Sequence, residues 1–361
     1  MSTRWPLRQL RAGEAATQGE LVLRQTEFGA VPAFADDDLL AAFQTFVRSA
    51  RFMSARSNEL RAALPTPDDL RRVCEKALVA DVTTQDSARA FFESQFDLYQ
   101  FEDNGSQHPP FFTGYYEPVV QGSLTRNADF TEPVFARPQD LDSITPYPSR
   151  AEIDAVGAAR FTPLVWLRDA IEVFMIQVQG SAAVDLPDGR RMRLTYAGRN
   201  GAPYTSIGRI LIEEGEIAPA DMSLARLKQW VRDHGQQQGE RGRALLHRNK
   251  SYVFFTLDGS ADRAIGPIGG GGVPLTPLRS IAMDRTIWPY GLPVFVDAQI
   301  PDAQGQTAPF TRLVIGQDTG SAIVGPARLD LFMGSGDEAG TRAGHIRHGG
   351  GLYILLPKSD S

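Results

Sequence analysis

Two aspartates, Asp318 and Asp330, stand in RLVIGQDTGSAIVGPARLDLFMGSGDEAGTRAG among glycines, small residues and short β-branched runs. A third, Asp284, lies upstream in RSIAMDRTIWPYGLPVFV, which reads as strand, turn and strand. Carboxyl groups held on turns between strands can be aimed at a reacting group, and burial or neighbouring charge can set their proton affinity. Acids spread along a helix usually meet only water. Asp in glycine-rich turns also commonly bonds its own backbone, and that positioning role is expected of Asp318 and Asp284.

A second set of residues has flat apolar faces with hydrogen-bonding tips, a combination suited to holding a sugar polymer. It comprises Tyr115 and Tyr116 in TGYYEP, Gln177 and Gln179 with Gly180 in MIQVQGSA, Tyr196 and Asn200 in TYAGRNG, and Tyr204. Gln177 and Gln179 lie two apart in what reads as a strand, so both side chains are expected on one face.

Other chemistries find less support. GPIGGGG, Gly266 to Gly272, is followed by Val273 and Pro274; a P-loop needs a lysine and a hydroxyl residue there, and a dinucleotide fingerprint must open a helix. The run is expected to be a mobile loop or a place of close backbone approach. His108, His234, His247, His345 and His348 show no metal-binding spacing, and no metal or cofactor is expected. Asp318-Thr319-Gly320 matches the aspartic-protease triplet. A single-chain protease needs a second copy, and Asp258-Gly259-Ser260 has the order wrong.

The elements that must position these residues fall into two kinds. The first third reads as helical: about Asp36 to Met53 with the stripe Leu39, Leu40, Phe43, Phe46 and Val47, a helix from Pro67 with Thr66 as cap, and about Asp86 to Phe96. From Pro109 onward short β-forming runs with glycine punctuation favour a barrel or sandwich. They are PPFFTGYYEPVVQGSL, PLVWL, IEVFMIQVQGSA and GRRMRLTYAG, then SYVFFTL, GGVPL, LPVFVDA, TRLVIGQD and GGLYILLP. Two helices interrupt them, one from near Ser206 and one from about Ser223 to His234, closed by Gly235. QQQGERGRALLHR, Gln236 to Arg248, is polar and glycine-broken and reads as a domain boundary.

Composition agrees with a globular chain. The 361 residues are 42% hydrophobic and 22% charged with a formal net charge of -6, enough for two domains and without a basic footprint for nucleic acid. The single cysteine, Cys74, sits at a core position of the second helix and is expected to be packed. No run approaches the about 18 apolar residues needed to cross a bilayer, and MSTRWPLRQLRAGEAATQGE has no secretion-signal core.

Taken together, FFTGYYEPVV, FMIQVQGSA, YAGRNGAPYTSIGRILIEEG, SYVFF, GPIGGGGVPLTPLRSIAMD and QDTGSAIVGPARLDLFMGSGDEAGTRAG resemble, in order and spacing, the membrane-bound lytic murein transglycosylase A family. The C-terminal part is similar to the small domain named for three aspartates, here Asp284, Asp318 and Asp330. The resemblance implies a mainly β, α+β fold with N-terminal helices. Residues 1–113 and 249–361 would form a discontinuous double-psi β-barrel catalytic domain and residues 114–248 an inserted β-rich substrate-binding domain, with a groove between them. One departure is visible: the interval from Asp318 to Asp330 is one residue longer than the family pattern, within VGPAR.

The activity implied is cleavage of the β-1,4 bond between N-acetylmuramic acid and N-acetylglucosamine in peptidoglycan without water, leaving 1,6-anhydromuramoyl ends. By its place in the motif Asp330 would be the single acid, later base, with Asp318 and Asp284 in support. Tyr115, Tyr116, Gln177, Gln179, Gly180, Tyr196, Asn200, Tyr204, Gly320 and Ala322 would contact the glycan. Its partners would be glycan strands, with cell-wall synthesis or divisome proteins as further candidates, and the protein is expected to be a monomer. The family's usual place is the periplasm, anchored as an outer-membrane lipoprotein; with neither signal nor lipidation cysteine here, a processed chain is expected. The alternatives are a non-catalytic peptidoglycan-binding barrel and a single-motif aspartic protease.

Overall fold

The computed structural model describes residues 16–18, 21–54, 59–102, 109–259, 265–302 and 304–359. His108, Ser260 and most of the N-terminal segment discussed above lie outside the described residues. The chain folds into two compact units, the first formed by residues 1–115, 268–334 and 345–361, the second by residues 116–267 and 335–344.

In the first unit, helix formation follows the apolar stripe. The helix Leu39–Ser54 buries Leu39, Ala42, Phe43, Phe46 and Ala50. It starts later than the spacing predicts because Pro32–Ala35 forms a separate turn and the Asp38 carboxylate accepts from the Ala41 amide at 3.0 Å, an N-terminal cap. The helix Asp68–Val79 is preceded by Pro67 rather than capped by Thr66, and Cys74 is buried on its inner face. The third, Gln85–Gln95, carries a capping box between Thr84 and Ser87. Phe43, Phe91 and Phe92 meet edge to face, with Phe43 and Phe91 centroids 4.9 Å apart, the geometry aromatic quadrupoles favour.

These helices accompany a ten-stranded sheet. Its order is Ala16–Gln18, Leu21–Thr26, Phe96–Phe101, Gly350–Pro357, Pro293–Pro301, Thr307–Asp318, Ser280–Ala282, Arg328–Ser335, Phe111–Glu117 and Arg347–His348. The three-residue strand Ser280–Ala282 runs parallel to Thr307–Asp318 and antiparallel to Arg328–Ser335. GGVPL, expected as a strand, contributes only the bridge between Ile268 and Pro274.

Buried polar bonds fix the helices to this sheet. Arg279 and Asp37 form a two-pronged ion pair at 2.6 and 2.8 Å, with both side chains almost fully enclosed. Asp37 also accepts from the Leu313 amide at 2.7 Å, and Arg279 donates to the Leu313 carbonyl at 2.9 Å. Gln317 donates to Ser49 Oγ at 2.7 Å and to the Thr45 carbonyl at 3.2 Å, and accepts from Ser280 Oγ at 2.5 Å.

The second unit is built on a six-stranded sheet in the order Val253–Asp258, Arg191–Arg199, Ser181–Asp185, Val119–Ser123, Pro163–Leu167 and Glu132–Phe135. Its described residues contain more helix than the two expected. IEVFMIQVQ, read as a strand, is the helix Ala170–Gln179, capped by Asp169 and ended by Gly180 at φ 84°. Seven of its ten residues are apolar, so periodicity alone could not separate strand from helix; burial on nearly all sides decides for the helix. Gln177 and Gln179 therefore do not share a face. Within Gln236 to Arg248, read as a boundary, Arg241–Arg248 is a helix whose Leu245 and Leu246 join the core of Ile171, Phe174, Ile210, Leu211 and Val231. The units divide at Tyr115/Tyr116 and Pro267/Ile268, and Ser335–Gly344 returns to the second unit, against the expected divisions after 113 and 248.

Because the Arg279–Asp37 pair is enclosed, Asp37→Ala leaves an uncompensated cation in the core. Urea unfolding followed by a probe in the first unit is expected to show a loss of about 3–5 kcal/mol; a loss within error of an exposed ion pair would contradict the role assigned to it.

Candidate active site

The register of the shortest strand places the two aspartates. Ala282 is the partner of Asp318 on one side and of Asp330 on the other, with a register irregularity between Ile281 and Ala282 on the Asp318 side. Residues directly opposite in a sheet project from the same face, so both carboxyl groups flank the small Ala282 side chain, two strand spacings or roughly 10 Å apart at their Cα atoms. Beneath them Tyr115, Leu275, Ala282, Ile323 and Phe332 form one apolar cluster.

Asp330 is half-buried, and its Oδ1 accepts from Thr113 Oγ1 at 2.5 Å. Thr113 Oγ1 in turn accepts from Arg328 Nη2 at 2.7 Å. Burial pushes the Asp330 carboxyl up to about 6; the Thr113 bond and the Arg328 charge oppose this, and the Asp318 charge adds to it. Loss of solvation disfavours the anion more strongly than these partners favour it. The result is an acid that holds a proton close to neutral pH.

Asp318 has a different environment. Its Oδ1 accepts from the amides of Gly270 at 2.7 Å and Thr319 at 2.8 Å. The glycine run makes this possible by close approach: a Cβ at Gly269 would lie 2.6 Å from the Gln317 carbonyl oxygen, and one at Gly270 would lie 2.6 Å from Tyr290 Oη. Asp284 closes a turn. Its Oδ1 accepts from the Thr286 amide at 2.9 Å and Thr286 Oγ1 at 2.6 Å, and its Oδ2 from the Gly325 amide at 2.8 Å, holding the segment that leads into Asp330.

Tyr115 is on the same face of its strand as Thr113. Its hydroxyl is buried with no hydrogen-bond partner among the described residues. Burial first, then the charge of Asp318 and Asp330, hold its pKa well above that of a free phenol, so it is a neutral donor. Tyr116 projects to the other face, is buried, and its ring lies against Gly340 in the second unit; burial pushes its hydroxyl up to about 12. Gly320 and the exposed Ala322 lie in the turn between Asp318 and Asp330.

The remaining sequence-selected residues belong to the second unit, where Gln177 and Asn200 meet around Arg150 and Tyr252. Gln177 is 5% exposed and accepts from Arg150 Nη1 at 2.5 Å, while its Nε2 is buried without a hydrogen-bond partner among the described residues. Arg150 is itself enclosed between the rings of Phe174 and Tyr252, at 4.7 and 5.1 Å. Asn200 is also buried. Its amide donates to the Pro148 and Lys250 carbonyls at 2.9 and 2.8 Å, and its oxygen accepts from the Tyr252 amide at 2.9 Å. Tyr196 packs beside the sheet core. Gln179 accepts from the Tyr116 amide at 3.2 Å, and Tyr204 is 37% exposed.

Sequence reasoning missed Thr113 and Arg328. No local pattern marks them, since their relation to Asp330 depends on a strand pairing across two hundred residues of sequence. Among the described residues no three His, Cys, Asp or Glu side chains gather where they could hold a metal ion.

A half-buried acid on a sheet strand, with a second carboxylate held nearby, is the kind of arrangement that general acid–base enzymes use, on glycosidic bonds among others. The family comparisons agree with that class. Residues 111–256 match the MltA specific insert domain and residues 279–356 the 3D domain. The chain is 35% identical over 263 residues to membrane-bound lytic murein transglycosylase A of Escherichia coli K12, covering 72% of this chain and 69% of that protein. It is 36% identical to the Vibrio cholerae protein of that name over 68% of this chain and 64% of the relative. The crystal structure of a membrane-bound lytic murein transglycosylase from Agrobacterium tumefaciens superposes with a TM-score of 0.81 at 31% identity, covering 93% of this chain and 97% of that one. E. coli MltA with bound chitohexaose gives 0.67 at 28% identity, covering 88% and 89%. The chain belongs to the membrane-bound lytic murein transglycosylase A family, with its two-domain α+β fold and a 3D domain of the double-psi barrel type.

The raised acid has a stability consequence. With a folded value of about 6 against about 3.9 unfolded, Asp330 favours folding below about pH 4 and loses that contribution as pH rises through 6. Asp330→Asn, which cannot ionise, is therefore expected to exceed the parent in stability above about pH 7, by on the order of 2 kcal/mol, with the advantage closing below about pH 4. Thermal melts at both ends test this, and a difference independent of pH would refute it.

Proposed function

We propose that this protein is a peptidoglycan lytic transglycosylase that cleaves the β-1,4 bond between N-acetylmuramic acid and N-acetylglucosamine without water, using Asp330 first as acid and then as base. The observation that carries this reading is the half-buried Asp330 carboxyl, raised to about 6 and held by Thr113. Protonated Asp330 gives its proton to the glycosidic oxygen, and the bond from that oxygen to C1 of the muramoyl ring breaks with an oxocarbenium-like charge developing on the ring. The carboxylate then removes the proton of the ring's own C6 hydroxyl, whose oxygen bonds to C1 and closes the 1,6-anhydro product.

One carboxyl group suffices because the nucleophile is tethered. A hydrolase needs a second carboxyl to attack C1 or activate water, whereas an intramolecular hydroxyl has a high effective concentration once the ring is bent to bring it over C1. Asp318, committed to two backbone amides, acts in this scheme as a fixed charge and loop anchor, and Asp284 as a turn lock. Tyr115, Tyr204, Gln179, Gly320 and Ala322 remain the proposed glycan contacts.

The substrate class rests on the family and on the E. coli relative, whose structure holds chitohexaose. The relatives' description as membrane-bound supports action at the cell envelope. No helix among the described residues is long and apolar enough to cross a membrane, and attachment through a lipid is the proposed alternative.

Incubation with purified sacculi is expected to release anhydromuropeptides, one water lighter by mass than hydrolysis products. The dependence of kcat/KM on pH should fall through about 6 as Asp330 loses its proton, and Asp330→Asn should lose at least about a thousandfold of turnover, the order expected for removing a general acid. Reducing-end products would make the protein a hydrolase, and binding without release would make it a glycan-binding barrel.

A further inference from the structure

We infer that Thr113 and Arg328 form a positioning pair that reserves Oδ1 of Asp330 as a permanent acceptor, so that the transferable proton is carried by Oδ2. The inference rests on Asp330 being the acid of the proposed reaction and adds the device that orients it.

The argument is one of donor bookkeeping. A threonine hydroxyl has one proton and two lone pairs, and a guanidinium can only donate. Arg328 Nη2, 2.7 Å from Thr113 Oγ1, occupies a lone pair. The hydroxyl proton is then free to point to one acceptor, and Asp330 Oδ1 is that acceptor at 2.5 Å. In a protonated carboxyl the carbonyl oxygen is the better acceptor, so this bond selects the form with the acid proton on Oδ2. A carboxyl whose two oxygens are fixed in role needs no rotation between donating and receiving a proton, and such preorganisation is where a catalytic site gains over solvent.

The same pair biases the charge state. The Thr113 bond and the Arg328 cation both favour the carboxylate, against burial and the Asp318 charge. The other groups facing this carboxyl are the neutral Tyr115 on the Thr113 strand, Asp318 on the strand beyond Ala282, and Arg347, which is in register with Thr113. Arg328 is partly buried, with its charge disfavoured by burial first and supported by Asp330, and its remaining Nη1 donates to the Leu329 carbonyl at 2.5 Å. Its second guanidinium nitrogen is thereby held on Thr113.

Thr113→Val keeps the shape and removes the hydroxyl. Its kcat is expected to fall about tenfold or more with KM within about twofold, the pattern of an interaction made only at the transition state. The alkaline limb of its kcat/KM profile should move to higher pH, by about half a unit or more, because a bond to the carboxylate has been lost. Thr113→Ser should restore both. Arg328→Gln should move the limb in the same direction. A direct readout is the 13C titration of the Asp330 carboxyl, whose midpoint should rise in Thr113→Val whether or not the protein turns over substrate.

An unmoved limb and an unmoved carboxyl midpoint in Thr113→Val would overturn the inference, even if the rate falls. If Thr113→Val does not fold, Arg328→Gln carries the same readouts, and Thr113→Ser is expected to stay at the parent's values. Asp330→Asn with full activity would instead sink the catalytic reading, and the carboxyl titration of the parent and Thr113→Val would still decide whether the pair sets the proton affinity of Asp330.

Discussion

The strand Ser280–Ala282 is the constraint on which the site depends. It is three residues long, yet it is parallel to one neighbour and antiparallel to the other, and Ala282 is the partner of Asp318 and Asp330 alike. A slip of one residue on either side would turn one of the aspartates to the opposite face. The small side chain of Ala282 lies between the two aspartate-bearing strands, and its methyl joins the apolar floor with Tyr115, Ile323 and Phe332. Proximity, shared direction and a low-dielectric floor therefore all come from one pairing.

Much of the first unit serves to hold that pairing in place. Arg279 and Asp37 lock the beginning of the short strand to the N-terminal segment and to Leu313, while Gln317 joins Ser280 to the first long helix through Thr45 and Ser49. Such buried polar bonds add little net stability compared with apolar packing, but each is costly to leave half-made, so they select one arrangement over its neighbours. The glycines from Gly269 to Gly272 do similar work by small size, since side chains there would meet the Gln317 carbonyl, Tyr290 and Phe52. Within this frame the two aspartates have unlike partners: Asp318 meets two amides, whereas Asp330 meets one hydroxyl and burial raises its affinity for a proton.

The second unit shows the other use of polar residues. Arg150 is enclosed by two aromatic rings and satisfied by the carbonyls of Asn249 and Ser251 together with Gln177. Asn200 joins the same region by bonding three backbone groups, of Pro148, Lys250 and Tyr252. Gln177 and Asn200, selected from motifs as ligand contacts, are buried and bond other segments of the unit, and Gln177 Nε2 has no hydrogen-bond partner among the described residues.

The sequence by itself determined the helices Leu39–Ser54, Asp68–Val79 and Gln85–Gln95, most strands, the two-part character of the chain and the importance of the aspartate-bearing turns, because these are written in local periodicity, caps and glycine placement. Its errors came where local signals are degenerate. The apolar stretch Ala170–Gln179 satisfies both strand and helix patterns, and the charged surface of Arg241–Arg248 hides an apolar edge that only packing reveals. Only the tertiary structure decided that Thr113 and Arg328 attend Asp330, that Tyr115 and Tyr116 face opposite ways, and that burial raises the Asp330 carboxyl. Those outcomes depend on which strands become neighbours and on how much water is excluded from each side chain, quantities set by contacts between residues far apart in the chain.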